Sequence, residues 1–154
     1  VFDTQKGTAR CASAGHPSPL MANRRTGEIR PVYKDLKKNP ALGLLPEAAY
    51  QVFDHELREH DIFLLFTDGV EEAMNAQDEY YGMERLQRAM SENLKLDIGD
   101  LTEAIVDDIL KFSGDLPLAD DLCLVAAEAL LNKPAPRPPM HQTSPGEYKR
   151  TADS

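Results

Sequence analysis

Three short stretches of this 154-residue chain place polar groups beside expected strand ends: Gly15-His16, Asp68-Gly69 and Asp120-Asp121. Two or three carboxylates converging at a strand end, without His or Cys ligands, favour a hard cation such as Mg2+ or Mn2+. Carboxylate-and-water sites of that kind serve two-metal hydrolysis, in which a bridging water is the nucleophile. Each stretch also has a plainer reading. Asp-Gly is the strongest short hairpin-turn signal. Asp120-Asp121 fits a solvated turn ahead of a strand, and His16 before Pro17 fits a structural turn. No Gly-rich phosphate loop, Ser-His-Asp order or zinc-type spacing is visible.

The elements that must position these groups follow from hydrophobic patterning. Ile62 to Phe66 is an unbroken apolar run that predicts a strand buried on both faces. It stops at Thr67-Asp68-Gly69. Val70 to Asn75 then predicts a short helical turn, with Glu71 and Glu72 near its positive N-terminal end. A carboxylate at the end of a rigid buried strand has its direction fixed by the scaffold. Asp120-Asp121 opens Leu122 to Ala126, a second expected buried strand. If the two strands are antiparallel neighbours, both acidic corners share one sheet edge.

The remaining chain is read in the same way. Thr8 to Ala14 predicts a strand, and Leu20 to Ala22 resumes it after the Gly15-His16-Pro17 break. A polar hairpin loop at Asn23 to Glu28 returns through Ile29 to Tyr33. Lys34 to Asn39 is a charged loop, and Pro40 to Pro46 an apolar turn. Tyr50 to Leu57 is expected to pair with the central strand through a hairpin at Arg58 to Asp61. Met83, Leu86, Met90 and Leu94 share one helical face, as do Leu101, Ile105, Ile109 and Phe112. Asp100 to Glu103 has capping-box spacing, and Gly114 is a suitable stop. Both stripes read as core. The folded part is expected over residues 1–131. From Asn132 onward, five prolines between Pro134 and Pro145 and few aliphatics predict a disordered tail over 132–154.

Composition bounds the function. A net charge of −9 argues against a nucleic-acid partner. The sequence holds no run near the roughly 20 apolar residues of a membrane span, and no signal pattern. Val rather than Met at position 1 suggests a cut or processed N-terminus. Cys11 and Cys123, far apart and without CxxC spacing, read as buried thiols in a reducing cytosol; a disulfide between them stays open until their geometry is known.

Taken together, the segments resemble the PPM-type metal-dependent serine/threonine protein phosphatases, in the bacterial stage II sporulation protein E (SpoIIE) type. Ala12-Ser-Ala-Gly-His-Pro-Ser-Pro-Leu20 is similar to that family's "AGHPP" strand-turn, and Leu42-Gly43-Leu44 to its "LG" turn. Leu64-Leu-Phe-Thr-Asp-Gly-Val-Glu-Glu-Ala73, followed by Asn75-Ala-Gln and Tyr81-Gly82, is similar to its longest signature. Asp120-Asp121-Leu-Cys-Leu124 is similar to its closing "DD" strand. The resemblance covers roughly residues 8–128.

It implies an α+β fold, part of a two-sheet antiparallel β-sandwich flanked by helices, with the family's N-terminal strands missing. It implies hydrolysis of phosphoserine or phosphothreonine on a cytoplasmic regulatory protein, such as an anti-sigma factor antagonist. It also implies a Mn2+ or Mg2+ centre with Asp68 and Asp120 as ligands and Asp121 orienting them. Gly69, Gly15 and His16 would be supporting residues. The family's bridging carboxylate belongs to a block with no counterpart here, so the chain is expected to be an incomplete phosphatase domain with little activity alone. The competing expectation is a truncated or degenerate module that binds protein without turnover.

Overall fold

Apolar alternation and helical stripes settle into two sheets and a helical layer. The structure, a computed structural model, describes residues 1–33 and 39–131. Most of the expected charged loop, and the whole Pro-rich tail, lie outside the described residues. In chain order the elements are β1 (Phe2–Asp3), β2 (Thr8–Ala12), β3 (Leu20–Asn23), β4 (Ile29–Pro31), β5 (Val52–Glu56) and β6 (Asp61–Phe66). After these come α1 (Asp68–Glu71), α2 (Gly82–Glu92), α3 (Ile98–Ser113) and β7 (Leu124–Glu128). The strands form two antiparallel sheets, ordered β1-β2-β5 and β4-β3-β6-β7. The expected α+β architecture of two sheets with flanking helices is what the chain adopts.

The core divides according to the faces of the second sheet. Leu20, Ala22, Ile62, Leu64 and Phe66 point one way, onto Leu86 and Met90 of α2 and Leu101, Ile105 and Ile109 of α3. Met21 and Phe63 point the other way, onto Ala9 and Leu57 from the first sheet. Each fully buried aliphatic contributes roughly 1.5–3 kcal/mol through removal from water. β6 therefore is buried on both faces over most of its length. Its exception is Leu65, 38% exposed, which pairs with the 55% exposed Val125 on β7.

Four expectations need correcting. Tyr50 to Leu57 does not pair with the central strand: β5 pairs with β2, Thr8↔Glu56 through Ala12↔Val52. The inward set is Phe53, His55 and Leu57, while Val52, Asp54 and Glu56 face solvent, the two-residue period of a strand. Leu57 is buried between the sheets, and the chain then crosses to the other sheet through His60, at φ 66°. Second, α3 starts at Ile98 with Asp97 in the cap position, so Asp100 lies in its first turn. Ile98 packs on the helical core, which extends the apolar stripe one turn earlier. Third, the strand after Asp120-Asp121 begins at Leu124 and is only half-buried, because it is the sheet's edge. Fourth, both cysteines are free; Cys11 is half-buried, and Cys123, ahead of that edge strand, is exposed. β1 was not anticipated; Phe2 sits edge-on to Phe63, ring centroids 5.1 Å apart.

An ion-paired clasp closes the end of the sandwich away from Asp68. Arg24 donates from Nε and Nη2 to Glu128 Oε1 and Oε2 at 2.9 and 3.0 Å, and also to the Leu94 and Leu96 carbonyls. His60 Nδ1 lies 3.0 Å from Glu128 Oε1. The Arg24 hydrogen bond, more than any other factor, holds the Glu128 carboxyl below its ordinary value of 4.5. A depressed carboxyl stabilises the fold above the unfolded pKa, and the gain is lost as pH falls through the folded one. The stability advantage of the wild type over Glu128→Gln is therefore expected to be full above the ordinary value of 4.5 and to be lost as pH falls below it through the lowered folded value. Urea melts at stepped pH measure it; a gap that stays constant would contradict the assignment.

Candidate active site

The acidic corners are brought together by main-chain contacts where β6 and β7 end. The ladder runs from Ile62↔Glu128 to Phe66↔Leu124. One residue further, Thr67 N donates to Cys123 O at 3.1 Å, and Cys123 N donates to Thr67 Oγ1 at 3.1 Å. The same hydroxyl donates to Asp121 O at 2.8 Å. α1 then starts at Asp68. Gly69 lies flat against the opposing segment: a Cβ there would stand 2.7 Å from Asp121 O and 3.4 Å from the Asp120 carbonyl carbon. Only glycine permits that approach. The antiparallel neighbourhood expected for Asp68 and Asp120-Asp121 is thus present.

The side chains at this corner are open to solvent. Asp68, Asp120 and Asp121 are exposed, and Asp120 Oδ1 accepts from Asp121 N at 2.7 Å. Glu71, one turn into α1, is half-buried. Burial pushes its carboxyl up, and the charges of Glu72 and Asp68 push it further. Negative charge is therefore in excess here. Among the described residues, no three His, Cys, Asp or Glu side chains come together as a ligand group.

Gly15 and His16 meet Asp68 across a groove of about 570 Å3, whose lining includes Asp68, Glu71, Asn39, Tyr33 and Met83 but neither Asp120 nor Asp121. Gly15 has φ +78°, and a Cβ on it would stand 2.9 Å from Ala41 Cα, so the 14–17 turn abuts the Leu42-Gly43-Leu44 turn. His16 bonds locally. Its ring Nδ1 lies 3.3 Å from Pro17 O, and its carbonyl accepts from Ser13 Oγ at 2.9 Å. Both contacts suit a turn residue. Neither the Thr67 hydroxyl bridge nor the place of Asn39 in the groove is legible from residue order. A threonine after an apolar run and an asparagine before a proline are ordinary strand-end and loop residues, and their partners lie far away in sequence.

Comparison with known proteins agrees with this geometry. Residues 1–130 match the family described as stage II sporulation protein E (SpoIIE). A curated relative, the phosphoserine phosphatase RsbU of Bacillus subtilis (strain 168), is 29% identical over 125 residues, 80% of this chain and 36% of that protein. The fold is similar to the RsbU and RsbW domains of a Mycobacterium tuberculosis protein, with TM-score 0.70, 22% identity, and 86% of this chain against 35% of that one. It is also similar to the manganese-presoaked phosphatase domain of SpoIIE from Bacillus subtilis, with TM-score 0.66, 15% identity, and 87% against 56%. The chain thus spans little more than a third of the curated relative it matches. With the match running through both sheets and the helices that cover the second of them, the chain belongs to the stage II sporulation protein E family.

Proposed function

We propose that residues 1–131 are part of a divalent-cation-dependent phosphatase acting on phosphoserine or phosphothreonine of a regulatory protein. The observation that carries this is the joining of the Asp68 corner to Asp120-Asp121 through Thr67 and Gly69. Family membership supports it. The donor set fits the cation. Exposed carboxylates offer oxygen only, and Mg2+ is commonly held by one or two carboxylates with several waters. Burial pushes the Glu71 carboxyl up first, and the charges of Glu72 and Asp68 add to it; a cation would relieve only that second part. Asp68 and Asp120 would hold the ion, and Asp121 would orient the site. Gly69 keeps the two segments in contact, and Gly15 and His16 shape the approach. When bound, the cation supplies Lewis-acid polarisation of the phosphoryl group and activation of water.

The substrate class in this reading is a phosphorylated regulator of the anti-sigma factor antagonist kind. A net charge of −9 speaks against nucleic acid. Among the described residues no helix is long and apolar enough to cross a membrane. Free Cys11 and Cys123 accord with a cytoplasmic location. A second reading, a module that binds a phosphoprotein without turnover, draws on Leu42, Leu44 and Leu45, which are 56–79% exposed in one turn.

Calorimetric Mn2+ titration of the full-length protein beside Asp68→Asn and Asp120→Asn separates the readings. Each substitution is expected to weaken binding by roughly tenfold or more, since even residues behind the ligands cost about 10–100-fold. Dephosphorylation should fall in parallel. Unchanged Mn2+ affinity in both variants removes these aspartates from the centre, and cation binding without dephosphorylation favours the second reading.

A further inference from the structure

Asn75-Ala-Gln and Tyr81-Gly82 directly follow the helix that carries Asp68, yet neither piece belongs to the acidic corner. α1 is four residues long, and its cap residue Thr67 makes no side-chain capping bond. That hydroxyl is engaged across the seam instead. A single helical turn does not sustain itself, because nucleation is unfavourable and one turn adds too few hydrogen bonds to offset it. The direction of α1 must come from outside. Val70 and Ala73 belong to the helical core, but apolar packing is non-directional. The Thr67 seam fixes only the N-terminal end.

The other end is tied through Tyr81. Asn75 closes the loop between them: its Oδ1 accepts from Gln77 N and Glu79 N, both at 3.0 Å, and its Nδ2 donates to Glu79 Oε2 at 3.0 Å. The chain is thereby returned so that Tyr81 N donates to Ala73 O at 2.7 Å, just past α1. The Tyr81 side chain is 1% exposed, and its hydroxyl donates to Asp108 Oδ2 on α3 at 2.6 Å. Its ring stands edge-on to Phe112, centroids 5.5 Å apart. Burial, and then the Asp108 hydrogen bond, push the hydroxyl's pKa up, which keeps it a donor. Arg85, 4.5 Å over the Phe112 ring, donates to the Tyr80 and Tyr81 carbonyls at 2.8 and 3.3 Å. Gly82, at φ +70°, turns the chain into α2, and Met83 then lines the groove with Asp68 and Glu71. We propose that Tyr81 is a positioning residue for the cation centre, its bond to Asp108 holding α1 between the Thr67 seam and α3 so that Asp68 is aimed at the ion. This deepens the phosphatase reading and rests on it. Tyr81 is buried and takes no part in the chemistry at phosphorus.

Calorimetric Mn2+ titrations and urea melts of the full-length protein carry the test, on Tyr81→Phe, Asp108→Ala, the double variant and Asp61→Asn. Tyr81→Phe keeps the ring and removes only the hydroxyl. It and Asp108→Ala are each expected to weaken Mn2+ binding roughly three- to tenfold, the range for residues that bias a site without touching its ligand. The double variant should lose no more than either alone, since both substitutions delete one shared hydrogen bond. Asp61→Asn, at the remote end of β6, should lose stability and keep the wild-type affinity. Wild-type Mn2+ affinity in Tyr81→Phe, with or without a loss of stability, overturns the proposal and leaves the phosphatase reading standing. A loss in Asp61→Asn as large as that in Tyr81→Phe overturns it too, by tracing the effect to a weaker fold. Additive losses in the double variant refute the Tyr81–Asp108 pairing on which it rests. A wild type that binds no Mn2+ removes the proposal and the phosphatase reading together.

Discussion

If the proposed phosphatase activity is measured in the full-length protein, Gly69→Ala is expected to abolish most of it while leaving the fold intact. The added methyl would stand 2.7 Å from Asp121 O, a main-chain atom that cannot rotate away. Either α1 or the Asp120–Asp121 segment must then move by several tenths of an ångström. Forcing a methyl into a filled site costs about 1–3 kcal/mol, which a domain of ordinary stability survives. The functional cost is larger, because the displacement lies between the two carboxylate-bearing segments. Sites of this kind tolerate roughly 0.5 Å, and a misplacement of about 1 Å costs on the order of 100-fold in rate. Gly99→Ala is the matched control. Nothing lies within 4 Å of a Cβ at Gly99, which sits in α3. There the same change should raise stability by about 0.5–1 kcal/mol and leave turnover alone. Steady-state kinetics and urea melts on both variants measure the contrast; full activity in Gly69→Ala would mean the segments need not touch.

Asp61→Ala should give the complementary result, a large loss of stability with normal activity per folded molecule. Asp61 is 1% exposed, at the end of β6 remote from Asp68. Its Oδ1 accepts from Asn23 Nδ2 at 2.8 Å. Its Oδ2 accepts from Arg58 N at 2.8 Å and lies 3.2 Å from His55 Nε2. The carboxylate thus joins the end of β3, the crossing between sheets and β5. Removing it leaves the Arg58 N–H and the His55 ring facing a void. Each buried donor left unsatisfied costs about 1–3 kcal/mol, together a large share of the roughly 5–15 kcal/mol holding a domain together. Asp61→Asn preserves shape and one acceptor, so its loss should be smaller. A midpoint shift in urea worth under about 1 kcal/mol for Asp61→Ala would show that water replaces the carboxylate.

What could be read from the chain alone was whatever a local pattern dictates. The run from Ile62 to Phe66 has one comfortable environment, a doubly covered strand, and Asp68-Gly69 ends it unambiguously. The stripes of α2 and α3 were legible for the same reason. Strand partnership was not. The residues of β5 alternate correctly for a strand, but nothing in Val52 to Glu56 says whether β2 or β6 lies alongside. That choice is made by Leu57 going under the sheet. Asp61 was read as a loop residue because acids normally face water. Its partners His55 and Asn23 are 6 and 38 residues away. At the candidate site, Asp68, Asp120 and Asp121 could be named from type and position, whereas Asn39 acquires meaning only from the cavity it borders.

The stitch at Thr67 has a further consequence. Its hydroxyl accepts a hydrogen bond from the Cys123 amide and donates one to the Asp121 carbonyl, so every group it grips belongs to the opposite backbone. The hydrogen bonds of the seam therefore do not depend on which side chains stand at 121 and 123. The joint is written in peptide units, and it does not itself dictate which acids stand beside it.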